Sequence, residues 1–229
     1  ARTQCQCTEV SAETMSDLSP QFVTLEGVEG AGKTTQKRAL CAFLDAHRIS
    51  YVETREPGGT FYAERIRELL LSHSAETVAP KTELLLMFAA RAQHIEQLIL
   101  PALDRGQWVI CDRFTDATYA YQGGGRQLPV QWIAELESLV QGTLRPDTTL
   151  IFDVSVEVGL SRAGQRAALD RIESEAGDFF QRVRASYHAM AQEEPDRVLL
   201  INAEADEASV SHDMLTQLAL LWGLPCSLG

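Results

Sequence analysis

The chain has 229 residues, 45% of them hydrophobic, which is enough for one domain with a substantial core. Its formal net charge of −12 argues against DNA or RNA as a partner, since nucleic-acid-binding proteins usually carry a basic surface. No segment has the length or pattern of a membrane span or a secretory signal, which argues against a membrane partner.

The cysteines indicate a reducing compartment, because their number is odd and their spacing fits no disulfide framework: Cys5, Cys7, Cys41, Cys111 and Cys226. Cys5 and Cys7 could begin a metal site, but no His or Cys group at zinc spacing follows them. We therefore expect a cytoplasmic protein.

Residues 1–20 are polar and aperiodic, which predicts a disordered tail. Short apolar runs, each suited to a strand buried on both faces, follow at 22–26, 50–54, 108–112, 149–154 and 197–202. Helical patterns lie at 33–47, 60–72, 81–104, 129–141, 155–164, 174–193 and 206–222. Pro101 is expected to bend or end the third helix. The alternation predicts one three-layer α/β/α domain at 21–229, with a five-stranded parallel sheet.

The segment GVEGAGKTTQ (27–36) contains a P-loop pattern between an apolar run and a helical pattern, the context that this motif requires. Glycines let backbone N–H groups point at phosphate oxygens, and the helix N-terminus adds partial positive charge. We expect Lys33 to contact the β- and γ-phosphates of a nucleotide and Thr34 to ligate Mg²⁺. The rest of the predicted ATP-binding loop comprises Gly27, Glu29, Gly30, Ala31, Gly32 and Thr35.

P-loops serve switches, motors and small-molecule kinases alike. The sequence contains no Asn/Thr-Lys-x-Asp guanine-recognition motif, and the chain is short for a motor. A small-molecule kinase also needs a pocket for an acceptor phosphate, so the arginines near the sheet edge decide between these classes.

Asp112 and Arg113 end the third apolar run, at the carboxyl edge of the predicted sheet, where α/β proteins bind ligands. Asp112 could assist Mg²⁺ and Arg113 could hold an acceptor phosphate, although a strand-end salt bridge is the alternative. In TREPGG (54–59), Pro57 predicts a tight turn that could bring Glu56 to a ligand; an ordinary connecting loop is the other interpretation.

Phe88 and Arg91 lie three residues apart on one face of a predicted helix. Phe88 could stack on a pyrimidine and Arg91 could bond a base carbonyl, or the pair could be a core aromatic with a snorkelling arginine. A local excess of arginine also stands out at 160–175, although a solvated helix surface would give the same pattern: Arg162, Arg166 and Arg171.

Five segments together resemble the bacterial type of thymidylate kinase: FVTLEGVEGAGKTTQ, TREPGGT, LLLMFAARAQH, CDRFTDATYAYQGGGR and RPDTTLIFDV. The resemblance runs from about residue 21 to the C-terminus. It implies the P-loop nucleoside-monophosphate-kinase fold and transfer of a phosphoryl group from ATP to dTMP, with Mg²⁺, to give dTDP for DNA replication. It also implies a homodimer.

For the acceptor site, the resemblance implies that Arg67 is a second clamp on the dTMP phosphate, beside Arg113, and that Glu56 and Pro57 line the site. It implies that Thr118 and Gln122 face the base, and that Tyr121 packs where a ribose 2′-hydroxyl would otherwise fit. The glycines at 123–125 are expected to let the backbone turn.

The chain departs from the family at the stacking position. Several relatives place the aromatic four residues before the arginine, where this chain has Met87. Either Phe88 takes over the stacking or Met87 contributes to it.

On the ATP side, the resemblance implies a lid at about 160–176 and an adenine-binding loop at Asn202 and Ala203. Some thymidylate kinases carry an arginine inside the P-loop, where this chain has Gly30. We therefore expect the missing charge from the lid, first from Arg166 and second from Arg162.

Glu29 lies inside the P-loop, and the resemblance implies that it accepts a hydrogen bond from the deoxyribose 3′-hydroxyl. The alternative is that Glu29 only caps the loop.

Two other functions remain open. A kinase for dUMP, UMP or dCMP is one, although Arg91 with Gln122 suits a base with O4 and N3–H. A nucleotide-dependent switch is the other, and the predicted second anion pocket counts against it.

Overall fold

The computed structural model describes residues 18–164 and 170–225. Most of the expected tail, residues 1–17, lies outside this part of the chain, and so do residues 165–169 of the expected lid. Residues 18–20 form neither helix nor strand, and Leu18 packs against the main core.

The described residues form one sheet of five parallel strands, in the order β2-β3-β1-β4-β5. The strands are β1 (Phe22–Glu26), β2 (Tyr51–Arg55), β3 (Trp108–Asp112), β4 (Thr148–Asp153) and β5 (Val198–Asn202). Each predicted run agrees with its strand to within one residue at either end. The connection that follows β1 leads to β2 on one side of the sheet, and the connection that follows β3 leads to β4 on the other side. Because these connections diverge, a crevice opens at the carboxyl ends of β1 and β3.

Both faces of β1 are buried, as its continuous apolar run predicts. Successive side chains of a strand point to opposite faces. Val23 and Leu25 belong to the main core cluster, whereas Phe22 belongs to a second cluster with residues of β3 and of the helical segment before it. Layers of apolar side chains therefore cover the central strand on either side, and the P-loop begins from a rigid support.

Helices cover the sheet at α1 (Lys33–Ala46), α2 (Phe61–Leu71), α3 (Pro80–His94), α4 (Leu100–Asp104), α5 (Thr115–Thr118), α6 (Val130–Gln141), α7 (Val156–Gly164), α8 (Gly177–Glu193) and α9 (Glu207–Trp222). None in the described residues is long and apolar enough to cross a bilayer. The long pattern at 81–104 divides into α3, a π-helical turn (Ile95–Ile99) and α4. Pro101 lies at the start of α4, where its missing N–H is tolerated. The helix does not end at this proline, because the π-helical turn joins α3 to α4, which continues to Asp104.

The prediction that the glycines at 123–125 turn the backbone is wrong. They end a second π-helical segment, Tyr119–Gly125, which continues α5. A Cβ at Gly124 would lie 2.0 Å from Ser186 Oγ, and a Cβ at Gly125 would lie 2.4 Å from the Phe179 ring. The missing side chains therefore serve close packing of this segment on α8.

Candidate active site

The P-loop joins β1 to α1 at the carboxyl edge of the sheet. Gly27, Gly30 and Gly32 have φ values of 131°, 74° and 85°, which favour glycine. Gly32 also precedes α1 without a side-chain cap, and the first helical turn contains no acidic residue. The helix N-terminus is therefore suited to receiving phosphate oxygens.

Lys33 is buried at the base of this loop, and its Nζ donates to the carbonyl oxygens of Gly27 and Val28, each at 3.1 Å. Burial lowers the pKa of Lys33, and the positive charge of Arg113 lowers it further. Both effects favour a bound anion next to the ammonium group, since an anion would supply the counter-charge that this position needs.

The glycine at position 30 has a packing reason. A Cβ there would lie 1.9 Å from the carbonyl oxygen of Gly159 on α7, and a Cβ on Gly159 would lie 2.6 Å from the carbonyl oxygen of Glu29. The backbones of the P-loop and α7 are thus in direct contact. An arginine inside the loop would require α7 to move, which agrees with the expectation that positive charge must come from elsewhere.

Arg113 lies directly after β3 with a φ of 71°, an uncommon conformation for a residue with a side chain. Its Nη2 donates to Glu29 Oε1, and its guanidinium group lies 4.8 Å from the centre of the Tyr121 ring. The partner of Arg113 is therefore the P-loop carboxylate, not Asp112 as a strand-end salt bridge would require. This contact joins the P-loop to the expected acceptor-phosphate position.

Glu26, the last residue of β1, lies directly before the P-loop and was not among the predicted site residues. It is fully buried, and its carboxylate accepts hydrogen bonds from the Phe114 backbone N–H and the Tyr187 hydroxyl, both at 2.7 Å. Burial raises the pKa of Glu26 to about 7, although nearby Arg113 opposes the shift. Its place at the end of a buried strand immediately before a P-loop is a signal that sequence reasoning could have used.

A second buried cluster lies across the cleft, around Glu56. Arg91 Nε donates to Glu56 Oε2 at 2.8 Å, and His94 Nδ1 lies 2.9 Å from Glu56 Oε1. Arg91 Nη2 donates to the Thr118 hydroxyl at 2.9 Å, while Nη1 is buried without a hydrogen-bond partner among the described protein atoms. Glu56 thus orients Arg91, and one donor of Arg91 remains for a ligand.

The prediction that Phe88 lines the base pocket is wrong. Phe88 is 2% exposed and packs with Leu84 and Ile133, with the Arg91 guanidinium carbon 4.8 Å from its ring centre. Met87, one residue earlier on α3, lines the cleft instead. Neighbouring residues of a helix point about 100° apart, so only one of them can face the ligand.

One cleft joins these groups. Of the predicted residues, those that line it are Glu29, Gly30, Ala31, Gly32, Lys33, Thr34, Glu56, Pro57, Arg67, Arg91, Asp112, Arg113, Thr118, Tyr121 and Gln122. Arg67 reaches it from α2, with its Nη1 donating to the Pro57 carbonyl at 2.9 Å. The P-loop and the arginines that could bind a second phosphate therefore line the same cleft, as a kinase with an acceptor pocket requires.

Four predicted nucleotide-site residues do not line this cleft: Gly27, Thr35, Asn202 and Ala203. Arg162 on α7 also lies outside the lining, and its Nη1 donates to the Ala203 carbonyl oxygen at 3.0 Å. Arg162 and the predicted adenine loop therefore meet at the end of β5. Arg166 lies outside the described residues.

Sequence reasoning missed two acidic lining residues within the expected lid, Asp170 and Glu173. Asp170 Oδ1 accepts the Glu173 backbone N–H at 2.9 Å, and Glu173 Oε2 accepts the Asp170 backbone N–H at 3.0 Å. This reciprocal pair closes the turn at 171–174 with the hydrogen bonds of a capping box, for which the Asp-x-x-Glu spacing was the available signal. Nearby Arg171 is not a solvated helix residue, because its side chain binds Glu83 and the Leu70 carbonyl.

The donor set fits a magnesium ion. Thr34 and Asp112 both line the cleft and supply a hydroxyl and a carboxylate oxygen. Mg²⁺ prefers oxygen ligands and usually retains water and substrate phosphates in its coordination shell, so two protein ligands suffice.

Comparison with known proteins agrees with this geometry. A sequence model described as thymidylate kinase matches residues 25–214. A thymidylate kinase from Pseudomonas putida (strain GB-1) is 58% identical over 197 residues, covering 86% of this chain and 94% of the relative. One from Pseudomonas entomophila (strain L48) is 60% identical over 193 residues, covering 84% and 92%.

A solved structure also matches: thymidylate kinase from Ehrlichia chaffeensis superimposes with a TM-score of 0.71 at 33% identity, covering 87% of this chain and 98% of that one. The fold, the shared cleft and these similarities lead to one conclusion. The chain belongs to the thymidylate kinase family.

Proposed function

We propose that this chain transfers the γ-phosphoryl group of ATP to dTMP and releases ADP and dTDP. The observation that carries the proposal is that the P-loop lysine lines the same cleft as two arginines, Arg67 and Arg113. A nucleotide switch needs only the nucleotide site at the P-loop, without a site for an acceptor phosphate. A phosphotransferase needs both, because it must hold the donor and acceptor phosphates close together.

At the acceptor phosphate, Arg67 and Arg113 supply the positive charge. Glu29 contacts Arg113 and is therefore next to the dTMP position, where its carboxylate accepts a hydrogen bond from the 3′-hydroxyl. The same pairing holds the Arg113 guanidinium in place before the substrate binds. Tyr121 lines the same cleft, and in this proposal it packs against the sugar where a ribose 2′-hydroxyl would otherwise fit.

At the base, Arg91 Nη1 is the donor for thymine O4. It is buried and lacks a protein partner among the described residues, so a base carbonyl would satisfy it. Gln122 and Thr118 line the same cleft, and Met87 contacts the face of the ring in place of Phe88. A cytosine would present an amino group, itself a donor, to the Arg91 donor. This mismatch favours dTMP over dCMP.

On the ATP side, the P-loop amides, the N-terminus of α1 and Lys33 hold the phosphates, while Asn202 and Ala203 contact the adenine largely through backbone. Thr34 and Asp112 would hold Mg²⁺, Asp112 partly through water, and the ion would neutralise charge on the transferred phosphate. Lys33 and a lid arginine stabilise the charge that develops on the phosphoryl oxygens. Arg166 is the proposed lid arginine, with Arg162 second.

A homodimer is the proposed assembly. Large apolar side chains are exposed on three helices that pack side by side, α2, α3 and α6: Phe61, Tyr62, Leu69, Leu85 and Leu139. Exposed apolar surface of this extent is typical of an interaction site. Sedimentation at micromolar concentration is expected to give twice the chain mass, and a monomer at all concentrations would contradict the assembly. We place the enzyme in the cytoplasm, consistent with the free, buried thiols of Cys41 and Cys111 in the part of the chain that the structure describes.

The test is to identify the products. Incubation with ATP, Mg²⁺ and dTMP is expected to yield dTDP and ADP in equal amounts, as resolved by chromatography. ADP formation without dTDP would indicate a nucleotide hydrolase or switch. Faster conversion of dUMP, UMP or dCMP than of dTMP would indicate a different nucleotide kinase.

A further inference from the structure

Glu83, on α3, is a buried carboxylate outside the cleft lining, and it is only 1% exposed. It accepts hydrogen bonds from three side chains: two from the segment that contains Gln122 and Arg126, and one from Arg171. Gln122 Nε2 donates to Oε1 at 2.9 Å, Arg126 donates to both oxygens at 3.1 Å, and Arg171 Nη2 donates to Oε2 at 2.6 Å. Only Gln122 among these three donors lines the cleft.

The charge state of Glu83 follows from these contacts. Burial alone would raise the pKa of Glu83, but the hydrogen bonds from Arg126, Gln122 and Arg171 outweigh burial and lower it. The carboxyl group is therefore ionised at neutral pH. An ionised carboxylate has no proton to donate and can only accept hydrogen bonds.

This chemistry fixes the orientation of the Gln122 amide. Oxygen and nitrogen of an amide have similar shapes, so the orientation of the group must be inferred from its neighbours. The amide atom next to an ionised carboxylate must be the nitrogen, because an oxygen there would place two acceptors in contact. Gln122 is 1% exposed and lines the cleft, so its oxygen is the amide atom that remains to meet a ligand.

We propose that Glu83 is a positioning residue for base selection: it holds the Gln122 amide with its oxygen available to the ligand and so favours a pyrimidine whose N3 carries a hydrogen. Thymine and uracil have this N3–H donor, whereas the N3 of neutral cytosine is an acceptor. The proposal rests on the proposed function, since it concerns the acceptor base of that reaction. It adds a residue that does not contact the substrate to those that determine specificity.

The arginines contribute to the same arrangement. Arg126 also donates to Glu175 at 2.5 Å, and Arg171 also donates to the Leu70 carbonyl at 2.8 Å, so both are held independently of Glu83. Their two positive charges keep the carboxylate ionised and prevent it from rotating away from Gln122. A neutral amide at position 83 would lack the negative charge and could also donate to the amide oxygen of Gln122. The Gln122 amide could then flip, with its nitrogen facing the ligand.

The test compares kcat/KM for dTMP and dCMP in the wild-type chain and in Glu83→Gln. The variant is expected to reduce the preference for dTMP over dCMP by about tenfold, the effect of mismatching a buried hydrogen bond. Glu175→Gln is the matched control, because it removes the same charge from Arg126 without touching Gln122. The control is expected to retain the wild-type preference.

A double-mutant cycle separates positioning from general damage. In a Gln122→Ala background, Glu83→Gln is expected to change the dTMP/dCMP preference by less than about twofold, since its effect passes through Gln122. An unchanged preference in the single variant, or an equal loss in the Gln122→Ala background, would overturn the proposal. If Glu83→Gln does not fold, Glu83→Asp replaces it, because it keeps the charge and withdraws the carboxylate from Gln122. Failure of the wild-type chain to phosphorylate dTMP would instead overturn the proposed function.

Discussion

Replacement of Glu26 by glutamine tests the energetics at the base of the P-loop. The Glu26 carboxyl is fully buried, and its raised pKa of about 7 compares with an ordinary value of 4.5. Between these two pH values the folded chain binds a proton that the unfolded chain has released. Because the folded state binds more protons there, its stability decreases as the pH rises through this interval and the carboxyl ionises.

The size of this effect follows from the two pKa values. Each unit of difference corresponds to about 1.4 kcal/mol, so complete ionisation of Glu26 costs about 3 kcal/mol of folding free energy. Most of this cost falls between pH 5 and pH 8, where it amounts to roughly 2–3 kcal/mol. The glutamine of the Glu26→Gln variant would remain neutral, and its amide can still accept from the Phe114 N–H and donate to the Tyr187 hydroxyl oxygen.

The assay is urea unfolding of the wild-type chain and Glu26→Gln at pH 5 and pH 8, with exposed Glu135→Gln as the control for loss of one carboxylate. The stability of Glu26→Gln relative to wild type is expected to increase by roughly 2–3 kcal/mol from pH 5 to pH 8. The control is expected to show little relative change. Parallel pH profiles for Glu26→Gln and the wild type would refute the assignment of a buried, proton-binding carboxyl to Glu26.

Two catalytic substitutions separate the P-loop from the lid. Glu29→Ala removes the partner of Arg113 and the acceptor for the 3′-hydroxyl. It is expected to raise the KM for dTMP or lower kcat by about tenfold or more. Steady-state kinetics that match the wild type would show that Glu29 only caps the loop. Arg166→Ala is expected to lower kcat by roughly 10²–10³ with little change in the KM for dTMP, because its contact forms mainly in the transition state. A wild-type kcat in that variant would exclude Arg166 as the charge-supplying lid residue.

The strands and most helices followed from periodicity, because apolar runs in this chain are short and well separated by helical patterns. The π-helical segment Tyr119–Gly125 did not follow, since three successive glycines usually indicate a turn. Its conformation depends on the close approach of α8, where Gly124 meets Ser186. These partners lie far apart in the sequence, which explains why local patterns did not predict the π-helical conformation.

The candidate site was predictable where a motif fixes both residue type and backbone, as at Lys33 and Arg113. It was less predictable on α3, where Met87 and Phe88 are both apolar and rotation of the helix decides which of them lines the cleft. Glu83 and Glu26 escaped prediction for a different reason. Each is hydrogen-bonded to groups from distant parts of the chain, and such contacts depend on tertiary packing, not on spacing along the chain.

The central claim is that one cleft positions ATP and dTMP for direct transfer. Its most direct test is a coupled assay of ADP release with ATP and Mg²⁺, run without an acceptor and with dTMP, dUMP, UMP, dCMP or AMP. We predict rapid ADP release with dTMP, slower release with the other monophosphates and very little without an acceptor. ADP release at the same rate with and without dTMP would contradict the claim.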